Sequence, residues 1–222
     1  MVCEQVVGMS EQKTDARVDV ALALAVQVFK GTDLACFARG TRIETAAGFV
    51  AVEDLRDGMM IETMDHGLQP VRRVLSKVVD GRGALAPVEI GAAVLGNVRA
   101  LRVSPHHRMV VSGWRAELLT GAPEVLAAAA DLVDGARVRV VPVDQVEYFH
   151  LLFDRHEIIF AEGAATESYH PFADDEAALG PETLAELQAL FPDMGRAFWE
   201  GTLLGGTARQ CASEAEAALL LA

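Results

Sequence analysis

The sequence predicts a mainly β domain followed by a helical C-terminal extension, on two observations. From Cys36 to about Pro171, strand-length apolar runs alternate with short turns rich in glycine and aspartate. After His170 the pattern changes to helical spacing, with proline and serine at the helix starts. The chain therefore divides into a leader over residues 1–35, a β domain over 36–172 and a helical extension over 173–222.

In the leader, "VALALAVQVF" (Val20 to Phe29) has the length of a signal-peptide core, but Asp15 and Asp19 give it the wrong flanking charge for export. Val18 to Phe29 is expected to be an ordinary buried helix or strand. The β domain then offers "RIETA", "GFVAVEDL", "MMIETM", "QPVRRVLSKVV", "APVEIG", "ALRVS", "RMVVS", "ARVRVVPV", "EYFHLLF" and "EIIFA" as strands. Between them lie "AAG", "RDG", "DHG", "DGRG", "LGN", "SGW" and "VDG", whose residues suit tight turns. "PEVLAAAADL", Pro123 to Leu132, is the exception, with helical composition and proline at its start. In the extension, Pro181 to Phe191 places Leu184, Leu187 and Phe191 on one stripe of an amphipathic helix. Ser213 with Glu216 three residues on is a capping box opening a last helix to Ala222.

Composition narrows the function. Nineteen basic residues against 32 acidic leave a net charge of −13, which disfavours nucleic acid and anionic membrane as partners. No apolar run reaches the length needed to span a bilayer. Cys3, Cys36 and Cys211 are odd in number and widely spaced, so neither a disulfide framework nor a C-x-x-C metal clip is expected. Free thiols and the absence of an export signal point to the cytoplasm.

Cys36 opens the β region, and its chemistry has two readings: a buried inert thiol, or a nucleophile. A thiolate can attack the carbonyl carbon of the preceding residue, Ala35, and turn that peptide bond into a thioester. The shift is uphill for an ordinary amide, so the protein must stabilise the intermediate and protonate the departing amine. "VSPHHRMVV" supplies a hydroxyl and an imidazole, Ser104 and His107, three residues apart. With both in register the nucleophile is the favoured reading. His106 is expected to face solvent, because strand neighbours point to opposite faces. On a continuous strand, His150, Leu152, Asp154 and His156 share one face. Asp154 and the two histidines on that face could approach Cys36, orient His107, bind a metal or form a surface salt bridge.

Cys36 at the head of a β-rich segment, the Gly48-to-Leu55 turn pattern and Ser104-x-x-His107 before an apolar strand together resemble a Hint domain, the hedgehog/intein autoprocessing fold. "YFHLLFDRHEIIFAEGAATESYHP" is similar to the last strands of the bacterial hedgehog-type, intein-like subgroup. The resemblance covers about residues 34–172 and implies an all-β Hint-type fold. It also implies self-processing, with Cys36 as nucleophile, His107 protonating the leaving amine and Ser104 bonding the scissile amide. It further implies an aspartate that activates the incoming nucleophile; Asp80 stands near that place. Asp154 and His156 complete the candidate set. Three departures mark the chain: serine replaces the family's threonine at Ser104, the Gly-Asp turn reads "RDGMM", and Glu167 and Ser168 stand where inteins end in His-Asn. Asn97 is the only asparagine, so asparagine-dependent splicing is not expected.

The expected function is therefore single-turnover cleavage at Ala35–Cys36 by water or another nucleophile, with the chain's own leader as substrate and no cofactor. Two rivals stand beside it. One is a catalytically silent Hint fold serving as a binding or assembly module, with the C-terminal helices as the surface for a protein partner. The other is a metal-binding β domain using His107, His150 and His156.

Overall fold

The computed structural model describes residues 35–169 and 207–222. The expected elements at Val18 to Phe29 and Pro181 to Phe191 lie outside the described residues. In chain order the strands are β1 (Phe37–Ala38), β2 (Arg42–Thr45), β3 (Gly48–Ala51), β4 (Met60–Thr63), β5 (Gly67–Pro70), β6 (Arg73–Asp80), β7 (Val88–Ile90), β8 (Leu101–Val103) and β9 (Arg108–Ser112). Helix α1 (Trp114–Thr120) follows, then β10 (Glu124–Ala128), β11 (Val138–Val140), β12 (Gln145–Leu152), β13 (Ile158–Ala161), β14 (Ala164–Glu167) and helix α2 (Glu214–Leu220). The mainly β expectation is met, and the last helix carries the expected capping box between Ser213 and Glu216.

The described residues form two sheets. One runs β11-β7-β8-β1-β12-β6; the other runs β10-β9-β14-β13-β2-β4-β5, with β3 on β2. Their facing side chains form one aliphatic core that includes Phe37, Ile43, Ile61, Ile90, Met109, Leu151 and Ile159. Cutting such a residue to alanine costs about 2–5 kcal/mol, so the core holds the short strands in place. The hairpins β2–β3 and β4–β5 are built alike. In each the first strand ends Ile-Glu-Thr, and the threonine hydroxyl donates to a glycine carbonyl across the turn, Thr45 to Gly48 and Thr63 to Gly67. Both glycines have positive φ, which other residues adopt only with strain.

Two readings are corrected. Pro123 to Leu132 is not a helix: Glu124–Ala128 pairs with β9 over five residues and continues into a single 3-10 turn. Val125, Leu126 and Ala127 are buried in succession, as in a strand covered on both faces, so tertiary pairing overrides alanine's helical preference. The helix lies just upstream instead, at α1, where Gly121 in the left-handed region closes it. The face shared by His150, Asp154 and His156 requires a continuous strand, but β12 stops at Leu152, and the two strands read at 147–153 and 157–161 are separate. Residues 153–157 turn the chain into β13, so Asp154 and His156 do not continue the face that carries His150.

Candidate active site

The β1 strand lies between β8 and β12, antiparallel to both, with Phe37 opposite Phe149 and Val103. This register sets Cys36 opposite His150 on β12 and beside Ser104, the residue that follows β8. The pairing is completed by Ser104, whose N–H donates to the Cys36 carbonyl at 3.0 Å. The Ser104 hydroxyl in turn accepts the Cys36 N–H at 2.9 Å. The nitrogen of the Ala35–Cys36 peptide bond is thus held by Ser104.

The other end of that bond is held by His150. Its Nδ1 lies 2.7 Å from the Ala35 carbonyl oxygen. A carbonyl oxygen only accepts, so Nδ1 carries the proton and donates. In the neutral ring Nε2 is then an acceptor, and it lies 3.4 Å from Cys36 Sγ. Burial pushes the His150 pKa down to about 4, partly offset by the Ala35 carbonyl, so the ring is neutral at physiological pH. The Tyr169 ring covers it at a centroid distance of 4.7 Å. Burial also pushes the Cys36 thiol well above its ordinary value, against a smaller opposing effect of Ser104. Cys36 is thus a protonated thiol beside an imidazole nitrogen that can accept its proton.

His107 is fully buried, and burial is the main reason its pKa falls to about 3; the nearby His150, Arg108 and His156 push in the same direction. Its ring packs edge-on against Phe37, the residue after Cys36, at 4.5 Å between centroids. His106 is exposed as expected, for a different reason: the two histidines sit in a tight turn closed by His107 N–H to the Ser104 carbonyl, not on a strand. His107 Nε2 bonds to the Thr166 hydroxyl. Nδ1 has no hydrogen-bond partner among the described residues, although it is buried.

Ser104 holds Cys36 directly, and His107 sits against the next residue, Phe37, with its main-chain N–H on the Ser104 carbonyl. Asp80 does not join them. It ends β6 opposite Gln145, five residues from Leu75, which is the residue opposite His150; that separation is about 16 Å along a strand. Its exposed carboxylate instead meets Arg82. Asp154 is spent on an ion pair with Arg72 beyond the end of β12. His156 lies in a neighbouring buried cluster: its Nδ1 accepts from Ala208 N–H at 3.0 Å, and its Nε2 is 3.3 Å from Glu167 Oε2. Among the described residues no group of three His, Cys, Asp or Glu side chains could hold a metal ion, so the metal-binding alternative finds no ligand set there. The sequence places His150 on a face that could approach Cys36 but does not single it out among the candidate catalytic residues. The signal was the strand parity around it, which could be used only once β1 was known to pair with β12.

The far end of the domain is arranged differently. Glu167 Oε1 accepts Arg108 N–H at 2.8 Å, and Ser168 Oγ accepts Glu157 N–H at 2.9 Å. Asn97 is buried in a loop, where its amide donates to the Gly91 and Arg99 carbonyls and its oxygen accepts from Leu95 N–H.

The model of the family described as Hint domain matches residues 35–173. Similar solved structures include a splice-inactive variant of the AceL NrdHF class 3 split intein, with 14% identity over 60% of this chain and 97% of that one and a TM-score of 0.42. A bacterial intein-like domain from Clostridium thermocellum has 14% identity over 61% and 98%, with a TM-score of 0.41. A DnaB intein from Synechocystis sp. PCC 6803 has 14% identity over 60% and 98%, with a TM-score of 0.37. No curated protein matches the chain.

Proposed function

The chain belongs to the Hint domain family, and from that premise we propose that it breaks its own Ala35–Cys36 bond through a thioester, without asparagine-dependent splicing. One observation carries this reading: a single peptide bond is gripped at both ends, Ser104 on its N–H and His150 on its C=O, with a thiol and an unprotonated imidazole nitrogen beside it.

The chemistry follows from the donors and acceptors. His150 Nε2 takes the Cys36 thiol proton, and the sulfur attacks the Ala35 carbonyl carbon. The oxygen of the tetrahedral intermediate stays on the Nδ1–H of His150, which is now cationic and a stronger donor than in the resting state. The carbon–nitrogen bond breaks, and the nitrogen must gain one proton to leave as an amine. The thiol proton now on His150 passes to Nδ1 of His107 and from there to the nitrogen, so both imidazoles end neutral and the proton lost by the thiol is the one gained at nitrogen. Ser104 holds the nitrogen while it turns from amide to amine. Water then hydrolyses the thioester to the Ala35 carboxylate and returns the Cys36 thiol; another nucleophile in place of water leaves Ala35 as its acyl derivative. Asp80 is given no part in the step, because its carboxylate is distant and engaged.

Cleavage ends there because the groups needed at the other end are absent or occupied. The sole asparagine is held in a loop, and Glu167 is locked onto Arg108. The test is mass spectrometry of a chain tagged after Ala222 and treated with a small thiol. Release of everything up to Ala35, with the tag still joined to Cys36, is the expected result. A break near Ser168 would show that the far end is active too. An intact chain in every condition would favour the silent module, which the raised thiol pKa would then explain.

A further inference from the structure

Arg108, on β9, has both main-chain polar groups met by side chains of the neighbouring strand β14. Glu167 accepts its N–H at 2.8 Å, and the Thr166 hydroxyl donates to its carbonyl at 3.1 Å. A hydroxyl has one proton to give, and Thr166 gives it to Arg108. The bond between Thr166 Oγ1 and His107 Nε2 must then run the other way, with the imidazole as donor. A neutral ring with its proton on Nε2 has a bare lone pair on Nδ1, and Nδ1 is the buried atom left without a partner among the described residues.

We propose that Thr166 is a positioning residue, which commits His107 to the Nε2–H tautomer and so reserves Nδ1 for the proton delivered to the Cys36 nitrogen. The proposal rests on the autoprocessing reading for its purpose, not for its geometry. Which imidazole nitrogen is protonated is set by the bond the other one makes. Without Thr166 the ring is free to carry its resting proton on either nitrogen, and a ring protonated on Nδ1 has no room there for the proton in transit. The arrangement also ties the end of the domain to its beginning: Thr166 stands on the last strand, two residues before Ser168, yet acts on the chemistry at Cys36.

The test uses the full chain labelled with nitrogen-15 and carrying Cys36→Ala, so that it stays whole. Imidazole NMR should show His107 protonated at Nε2 and bare at Nδ1. Thr166→Val, which swaps the hydroxyl for a methyl group, should shift the ring toward Nδ1–H or a mixture; Thr166→Ser should restore the parent spectrum. With Cys36 present, thiol-induced release should slow about 10- to 100-fold in the valine variant and stay near the parent rate in the serine variant. A proton on Nδ1 of His107 in the parent chain would overturn the proposal. So would a folded valine variant with the parent's tautomer and rate. If the valine variant does not fold, the spectra of the parent and the serine variant still decide. If no variant releases its leader, the autoprocessing reading fails while the spectra still judge Thr166.

Discussion

Two peptide bonds in this fold invite comparison: Ala35–Cys36 at the entry to β1, and Glu167–Ser168 at the exit from β14. Both are surrounded by buried polar side chains, and both have a histidine close by. At the exit, most polar groups have a structural task, though His156 Nε2 and Glu167 Oε2 lie 3.3 Å apart without a hydrogen bond. Glu167 ties down Arg108, the Ser168 hydroxyl takes Glu157 N–H, and the Ser168 N–H goes to the Glu157 carbonyl. The entry differs in holding a thiol beside an acceptor nitrogen, and a second imidazole whose buried Nδ1 has no hydrogen-bond partner among the described residues. Polar burial alone therefore does not mark a reactive site. What sets the entry apart is a thiol placed beside an acceptor nitrogen, next to a peptide bond gripped at both its N–H and its carbonyl.

The sharpest way to break the comparison is to remove the entry imidazoles. His107→Ala should slow thiol-induced release by about 100- to 10,000-fold, the usual worth of a general acid, while the exposed His106→Ala should leave it near the parent rate. Equal effects in two folded variants would cancel the distinction between them. His150→Ala should cost about 100- to 1,000-fold, as expected for loss of an oxyanion donor, with a further loss because the thiol base goes too. A smaller effect than that of Ser104→Ala would mean that the carbonyl contact is only structural.

A pH experiment sharpens the same contrast through stability. His107 and His150 are held near pKa 3 and 4 in the folded chain, below the ordinary value of 6.5. A depressed histidine imposes no charging penalty above pH 6.5, and its contribution is lost as pH falls from 6.5 towards 4 and below, because the unfolded chain binds the proton first. Melting temperature should drop across that window, and by less in His150→Gln than in the parent; parallel curves would contradict the buried neutral ring. The smallest effect expected is from Asp80→Asn and Asp154→Asn, which should leave the release rate unchanged within about twofold, as for surface groups away from the reaction. A large loss at Asp80 would restore it to the mechanism and imply that the chain moves.

Much of this was legible in the sequence, for reasons that particular residues make plain. Glycine and aspartate turns between β-length runs predict most of the strands, because positive φ and local side-chain bonds leave few alternatives at those places. Cys36, Ser104 and His107 could be linked through the chemistry each would do and through family resemblance. Pairing between strands was the hidden part. His150 becomes the partner of Cys36 only through the register of β1 on β12, and Asp80 is excluded only through the register of β12 on β6. The alanine run at Pro123 to Leu132 went wrong for the same reason, since burial on both faces of a strand looks like helix composition in one dimension. Thr166 carried no signal at all; its role depends on which way a hydroxyl proton points.

The central claim is that Cys36 takes the acyl group of Ala35, and hydroxylamine tests it most directly, because it attacks a thioester far faster than an amide. Mass spectrometry of the treated chain should reveal an N-terminal fragment ending in an Ala35 hydroxamate together with a remainder beginning at Cys36, and neither species should form from Cys36→Ala. An unbroken parent chain after prolonged treatment, or the same fragments from the alanine variant, would contradict the account.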